Sequence, residues 1–162
     1  GIMYSENFET IIQVVLEHEG GYVNDPNDKG GETNFGISKK AFPEEDIKNL
    51  TEERAMYIYY EKYWRPSKTY LLPPDLQEMY FDMVVNFGPR GAGRVLQHAI
   101  NGKYKDAVVV DGRVGPKTIK AIKKLELNRL RAYRVLKFAE IVCKNPSQEK
   151  FWFGWFKRAL HV

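Results

Sequence analysis

The feature of this chain that most constrains its fold is a helical pattern that ends at two glycines. Counting about 100° per residue, Glu19 falls near the middle of an apolar stripe, and Gly20-Gly21 is a common helix stop. The pattern predicts a helix over residues 5–19, with Ser5 or Asn7 as its N-cap. The apolar side chains of the stripe recur at helical spacing: Phe8, Ile11, Ile12, Val15 and Leu16.

This position has consequences for the carboxyl group of Glu19. An apolar face removes water from a carboxylate and raises its pKa, and the unpaired carbonyls at a helix C-terminus act in the same direction. A Glu pKa raised from about 4.3 to about 6 would supply the protonated group that general acid catalysis needs. The alternative is a rim residue that bends out to water, because perturbed acids mark functional sites only in a statistical sense.

The segment that follows is a loop rich in glycine and acidic residues. Its glycines allow tight turns that bring backbone and carboxylates close to a ligand, although an ordinary surface hairpin is the alternative. We expect a hairpin around residues 28–31, with strand-like alternation from Thr33 to Ile37. A short helix is expected from Ser38 to Phe42, before Pro43.

Length and composition favour one domain, of one or two lobes, with a real core. The 162 residues are 43% hydrophobic and 14% aromatic, which argues against disorder. The one cysteine, Cys143, excludes an internal disulfide and lies in a helical apolar pattern, so we expect it in the core. The three histidines show no zinc-ligand spacing, and no phosphate loop or dinucleotide fingerprint is present. We therefore expect no metal and no cofactor.

Charge is distributed unevenly along the chain. Residues 1–66 carry 13 acids and 7 Lys or Arg, whereas residues 67–162 carry 8 acids and 18 bases, which sums to the net +4. A basic half suits a polyanion such as the bacterial wall or nucleic acid. Nucleic acid is not expected as a partner, since the Lys and Arg residues follow no recognised nucleic-acid-binding motif.

No apolar run approaches the roughly 20 residues of a membrane span, and no signal peptide is seen. A monomer without stable membrane insertion is expected.

The middle of the chain predicts an aromatic helix. Thr51 is a good N-cap, and the helix should run to about Arg65, where Pro66 stops it. Its aromatic side chains belong most often to a core, yet sugar rings pack on aromatic faces and bond to phenol hydroxyls. Tyr63 and Trp64 are therefore candidates for glycan contact.

The second half predicts further helices. An apolar stripe predicts a buried helix over residues 75–87. On its other side Asn86, one turn from Asp82, either pairs locally or faces a cleft. A turn at 88–91 and a helix at 92–100 follow. A long helix should run from Thr118, as its N-cap, to about Cys143, with Ile119, Ile122, Leu125, Leu130, Tyr133 and Leu136 inside and Lys117, Lys120, Lys124, Arg131 and Arg134 outside.

An ordered set of motifs over nearly the whole chain resembles the glycoside hydrolase family 108 N-acetylmuramidases. These are lysozyme-like enzymes of phages, prophages and bacteria, and some members are labelled secretion activators. The matching residues are Glu19-Gly20-Gly21-Tyr22, Asn24-Asp25-Pro26, Asp28, Gly30-Gly31, Thr33, Gly36-Ile37, Tyr60, Tyr63-Trp64, the run from Asp82 to Gly88, Leu96-Gln97, Asp111-Gly112, Val114-Gly115-Pro116, Thr118, Gly154-Trp155 and Arg158.

The resemblance implies a mainly α, lysozyme-like helical fold with a small β-hairpin next to the active-site cleft. It implies an N-terminal catalytic lobe over residues 1–66 and a C-terminal helical lobe over residues 67–162 that is similar to a peptidoglycan-binding region, packed as one globular unit. The implied activity is cleavage of the β-1,4 bond between N-acetylmuramic acid and N-acetylglucosamine. This activity implies a bacterial or phage protein that acts on the cell wall, either in the periplasm or after export or holin release. The alternative is a non-catalytic wall-binding or secretion-associated module.

The catalytic assignments follow the same resemblance. The family's essential Glu maps onto Glu19, the general acid. The second group is Asp25, Asp28 or Glu32, or there is none. The order Glu, Asp, Thr is similar to phage-type lysozymes, which favours an inverting role for Asp28 and Thr33, and this requires a Glu19–Asp28 carboxyl separation of about 6.5–9.5 Å, against about 5 Å for retention. The residues expected to bind substrate are Tyr22, Asn34, Tyr63, Trp64 and Asn86.

Overall fold

The computed structural model describes residues 3–27 and 30–161. These residues form seven α-helices, a short π-helical segment and one small antiparallel sheet. The chain divides into two compact units, Gly1–Trp64 and Arg65–Val162, and each buries its own set of apolar side chains. In the described ranges no helix has the length and apolar character needed to cross a membrane.

The first unit begins with helix α1, Glu6–Glu19. The backbone N–H of Phe8 donates to Ser5 Oγ at 3.2 Å, so Ser5 is the N-cap. The helix ends at Gly20, whose φ of 75° lies in the left-handed region that glycine tolerates. The predicted helix and its buried stripe are both confirmed, since all five apolar side chains of the stripe are buried.

A three-stranded antiparallel sheet follows, in the order β1-β2-β3. Val23 pairs with Thr33 in the first hairpin and Asn34 pairs with Ile37 in the second. The expected hairpin around residues 28–31 is present in its two strands, but Asp28 and Lys29 lie outside the described residues. The strands are β1 Val23–Asn24, β2 Glu32–Asn34 and β3 Ile37–Ser38.

The two-residue turn between β2 and β3 has an unusual backbone. Phe35 has a φ of 52° and Gly36 a φ of 78°, the pattern of a type I′ turn, which suits the twist of a tight hairpin. The short helix expected from Ser38 is wrong. The chain makes a single turn in which the Phe42 N–H donates to the Ser38 carbonyl at 2.9 Å, and Pro43 disfavours helical backbone at the residue before it.

Helix α2 spans Glu52–Tyr59 and continues as a π-helical segment, Tyr60–Trp64. The Thr51 hydroxyl accepts the Arg54 N–H at 3.1 Å, which confirms the predicted cap. The Phe8 ring of α1 packs edge-on against Tyr60 and Trp64, with centroids 5.2 Å apart in both cases. Edge-to-face aromatic packing therefore joins α1 to this second helix.

The second unit is organised by helix α4, Pro74–Lys103, which follows the short helix α3, Arg65–Ser67. Gly88 breaks α4 with φ 78° and ψ 163°, so the predicted helices at 75–87 and 92–100 are joined by a one-residue kink rather than a turn. The central stripe is buried as predicted at Leu76, Met79, Tyr80, Met83 and Val84.

Three helices complete this unit: α5 Pro116–Ile122, α6 Leu127–Lys144 and α7 Trp152–His161. The predicted long helix from Thr118 to Cys143 is wrong, because the chain leaves helical geometry at Lys123, with φ 47° and ψ −116°. Thr118 is a buried residue within α5 rather than a cap. Cys143 is exposed, not a core residue.

Leu130 of α6 is buried as predicted, but Arg134 and Leu136 lie on the opposite sides from those expected. Arg134 is fully buried, whereas Leu136, expected inside, is 51% exposed. The Arg134 guanidinium donates to the carboxylate of Asp82, which is also buried, and Arg158 of α7 donates to the same carboxylate at 2.5 Å. Burial lowers the pKa of Arg134. One carboxylate thus links α4, α6 and α7, because a buried charge must be paired.

Candidate functional site

Glu19 is the last residue of α1, half-buried, and the β2–β3 turn packs against its side chain. A β-carbon placed on Gly36 would lie 2.8 Å from both Cβ and Cγ of Glu19. Such distances are well inside van der Waals contact, so only glycine fits at this point of the turn. The carboxyl group of Glu19 is therefore carried on a stem that backbone atoms hold in place.

Tyr59 of α2 fixes the same turn from a second direction. Its hydroxyl donates to the Phe35 carbonyl at 2.6 Å, and its ring is buried. The hydroxyl oxygen would also lie 2.7 Å from a β-carbon on Gly36. Helix α2 thus anchors the β2–β3 turn, and this turn packs on Glu19.

Tyr63, which belongs to the π-helical segment, lies close to Glu19 of α1. Its pKa is raised by burial and, secondarily, by the negative charge of Glu19. The ring is half-buried, 5.4 Å from Tyr59 and 6.5 Å from Phe42 between centroids. π-helical turns occur frequently at functional sites because they redirect side chains within a helix. The phenol remains a hydrogen-bond donor beside the carboxyl group at neutral pH.

Two of the three acids proposed as catalytic partners have local hydrogen bonds. The Tyr22 hydroxyl donates to Glu32 Oε2 at 2.7 Å, and this bond raises the pKa of Tyr22. Asp25 Oδ1 accepts the Asn27 N–H at 2.9 Å, the turn-shaping bond expected of an Asp before Pro. The third acid, Asp28, lies outside the described residues. Thr33 lies in the middle of β2, half-buried, and pairs with Val23 and Ser38.

The remaining residues expected to bind substrate fall in three different settings. Asn34 is only 6% exposed, and its amide donates to the Ile47 carbonyl at 3.0 Å. Trp64 is buried and packs on Phe8. Asn86 belongs to the second unit, where its exposed amide donates to the Asp82 carbonyl at 2.9 Å. Tyr22 and Tyr63 therefore have better access to a ligand than the buried Asn34 and Trp64.

Sequence reasoning missed the residues that support the site. The Gly36-Ile37 step was visible only as part of a motif, and Tyr59 was one of several tyrosines on an aromatic helix. Neither could be assigned to Glu19, because their contacts join residues far apart in the chain. In the part of the chain that the structure describes, no group of three or more His, Cys, Asp or Glu residues is arranged to hold a metal ion.

A glutamate at the end of a helix, beside a small antiparallel sheet in a mainly α chain, defines a lysozyme-like fold. The family model described as glycosyl hydrolase 108 matches residues 12–88, and the one described as a predicted peptidoglycan domain matches residues 91–160. The chain belongs to the glycosyl hydrolase 108 family, with a peptidoglycan domain after the hydrolase region. The fold class expected from the sequence, mainly α and lysozyme-like with a small sheet, is thereby confirmed.

The solved structures support the same assignment. The chain is similar to Brucella abortus SagA, with 30% sequence identity, a TM-score of 0.77, and coverage of 94% of this chain and 88% of that one. A comparison with curated proteins gave no match. The two matched regions assign the protein to the glycoside hydrolases that act on peptidoglycan, which lies outside the cytoplasm.

Proposed function

We propose that the protein is an N-acetylmuramidase that cleaves the β-1,4 bond between N-acetylmuramic acid and N-acetylglucosamine, with Glu19 as the general acid. The observation that carries this proposal is the packing of the Gly36 turn on the Glu19 side chain, within the region that matches the hydrolase family. A general acid must lie within hydrogen-bond reach of the glycosidic oxygen, so its stem must be held in one position.

Tyr63 extends the proposed site toward the sugar. Its half-buried ring lies near Glu19 and offers both an aromatic face and a phenol donor. Tyr22, exposed on the adjoining loop, is a further candidate for glycan contact. Asn34 and Trp64 do not belong to the proposed binding set, because their side chains are buried in packing contacts. We expect Tyr63→Ala to raise KM more than it lowers kcat.

The second catalytic group in this proposal is Asp28, assisted by Thr33. This choice is supported because the other two candidate acids already have partners. Asp25 shapes a turn, and Glu32 accepts a hydrogen bond from Tyr22. Asp28 and Thr33 would position a water on the far face of the sugar, and the product would have inverted configuration. NMR of the first-formed product anomer tests this, and a retained configuration would assign the second role to a different group.

A cell-wall zymogram and a turbidity assay test the central claim. We expect Glu19→Gln to lose about 10²–10⁴-fold in rate, as removal of a general acid does. The matched control is Glu17→Gln, which removes an exposed acid from the same helix turn and should leave clearing unchanged. Equal clearing by Glu19→Gln and wild type would refute the assignment. No clearing by the wild type, together with retention on the wall, would favour the non-catalytic wall-binding or secretion-associated module.

A further inference from the structure

A cavity of the second unit lies outside the hydrolase residues discussed above. It has a volume of about 790 Å³ and is formed by one continuous segment, residues 106–118. This segment lies within the peptidoglycan domain match at 91–160. Its principal lining side chains are Val108, Val109, Asp111, Arg113, Pro116 and Lys117.

Helix α4 holds the first half of this segment through Asn101. The Asn101 amide nitrogen donates to the Val108 carbonyl at 2.9 Å, and its oxygen accepts the Val108 N–H at the same distance. A single side chain therefore satisfies both backbone groups of Val108, a residue that lines the cavity. These two hydrogen bonds fix the conformation of the loop at Val108.

One helix turn earlier, Gln97 holds the second half. Its buried amide oxygen accepts the N–H groups of Asp111, at 3.1 Å, and Gly112, at 2.8 Å. Its nitrogen donates to the Arg113 carbonyl at 3.0 Å. A further turn back, a β-carbon at Gly93 would lie 2.4 Å from the Gly112 carbonyl oxygen, so the loop and the helix are in backbone contact. A cavity-lining loop held in this way loses little conformational entropy when a ligand binds.

The lining chemistry distinguishes a peptide from a glycan. None of the cavity's described lining residues is aromatic, although sugar sites commonly offer ring faces to the sugar. Small apolar groups form the wall instead, and Val109 is 76% exposed at its surface. Arg113 and Lys117 supply positive charge. Asp111 supplies a negative charge, because hydrogen bonds from the Arg113 backbone N–H and the Gln97 side-chain amide hold the pKa of its carboxyl group below the usual range.

We propose that this cavity binds the peptide stem of peptidoglycan rather than its sugars. The inference depends on the proposed function only in taking peptidoglycan as the substrate. Arg113 and Lys117 pair with the free carboxylates of the stem, Asp111 lies beside its free amine, and Val109 contacts alanine methyl groups. Charge-assisted hydrogen bonds of this kind provide orientation as well as affinity. The site would thus select wall strands that still carry peptides.

The test is a titration of the full chain with the sugar-free tetrapeptide L-Ala-γ-D-Glu-meso-diaminopimelate-D-Ala, followed by calorimetry and by amide NMR shifts. We expect saturable binding with shifts centred on residues 106–118. Arg113→Gln and Lys117→Gln should each weaken binding by about tenfold. Lys120→Gln, an exposed lysine on α5 that does not line the cavity, is the matched control and should bind normally.

Three outcomes would overturn the inference: no peptide binding, equal binding by Arg113→Gln, or shifts of residues 106–118 caused by N-acetylglucosamine oligomers in place of the peptide. The Arg113 and Lys117 side chains are exposed, so unchanged thermal melts should show that both variants fold. Hydrolysis of peptide-free glycan tests Glu19 separately. A chain that cleaves this glycan but does not bind the peptide would keep the proposed function and lose this inference.

Discussion

The backbone of Gly36 lies against the side chain of Glu19, so closely that a β-carbon there would be 2.8 Å from two carbons of the acid. This contact joins the end of α1 to the tightest turn of the sheet. Gly36 also has a φ of 78°, which disfavours any L side chain. Both the space and the backbone conformation at this position require glycine.

Gly36→Ala should therefore reduce activity at least tenfold and destabilise the fold by about 1–2 kcal/mol, the usual cost of left-handed backbone for a non-glycine residue. The added methyl group must displace the stem of Glu19 or the Tyr59 hydroxyl. Turbidity assays and urea unfolding measure the two effects. Gly154→Ala is the control, since Gly154 is in a helix with no atom within 4 Å of its β-carbon position. Wild-type activity in Gly36→Ala would show that the contact does not position the acid.

Tyr59→Phe should loosen the same turn without adding bulk. The variant loses the 2.6 Å bond to the Phe35 carbonyl and leaves that carbonyl without this donor. We expect about 0.5–1.5 kcal/mol of destabilisation and a fall in kcat larger than the change in KM. Tyr57→Phe, on the same helix, is the control. A fall in KM with unchanged kcat would contradict the positioning role.

Tyr80→Phe should stabilise the protein, by about 1 kcal/mol at neutral pH. Among the described residues the buried Tyr80 hydroxyl has no hydrogen-bond partner, and an unsatisfied buried group is costly. Burial also raises the Tyr80 pKa above its ordinary value near 10. Stability is therefore lost as pH rises above about 10, because the unfolded state ionises first. Urea unfolding at pH 7 and pH 10.5 should show a smaller alkaline loss in Tyr80→Phe than in wild type or in Tyr70→Phe, where the ring is 49% exposed.

Asp82→Asn should be strongly destabilising, by about 3–5 kcal/mol. The substitution keeps the size of the side chain but leaves the buried Arg134 and the partly buried Arg158 without their shared carboxylate. Urea unfolding measures the change. Glu45→Gln, which breaks the exposed pair with Arg54, should change stability very little. A loss of under 1 kcal/mol in Asp82→Asn would mean that the arginines find other partners.

Local chemistry made much of the first unit predictable. The α1 stripe, its Ser5 cap and its end at Gly20 depend on residues within one or two helix turns of each other. The same holds for the Thr51 cap of α2. The support of Glu19 could not be predicted in this way, because Tyr59 and Phe35 are 24 residues apart in the chain. The π-helical segment was not predicted either, since its five residues are too few to show a change in apolar periodicity.

The errors in the second unit have a similar physical origin. The break between α5 and α6 occurs at Lys123, without the glycine or proline that usually signals one. Arg134 was expected in solvent because arginine is rarely buried alone. Its partner Asp82 is 52 residues away, and only the tertiary structure brings the two charges together. Leu136 of the same helix is exposed, opposite to the prediction.

Gln97 and Asn101 have one further consequence for how the protein would behave in its surroundings. Neither amide titrates in water, and the bonds they make to backbone groups are between neutral partners. These bonds, unlike those that the Asp111 carboxylate accepts from the Arg113 N–H and the Gln97 amide, should hardly respond to the acidity or ionic strength of the wall. Changes in medium would then alter how strongly the charged rim attracts a ligand, while the framework beneath it keeps its form.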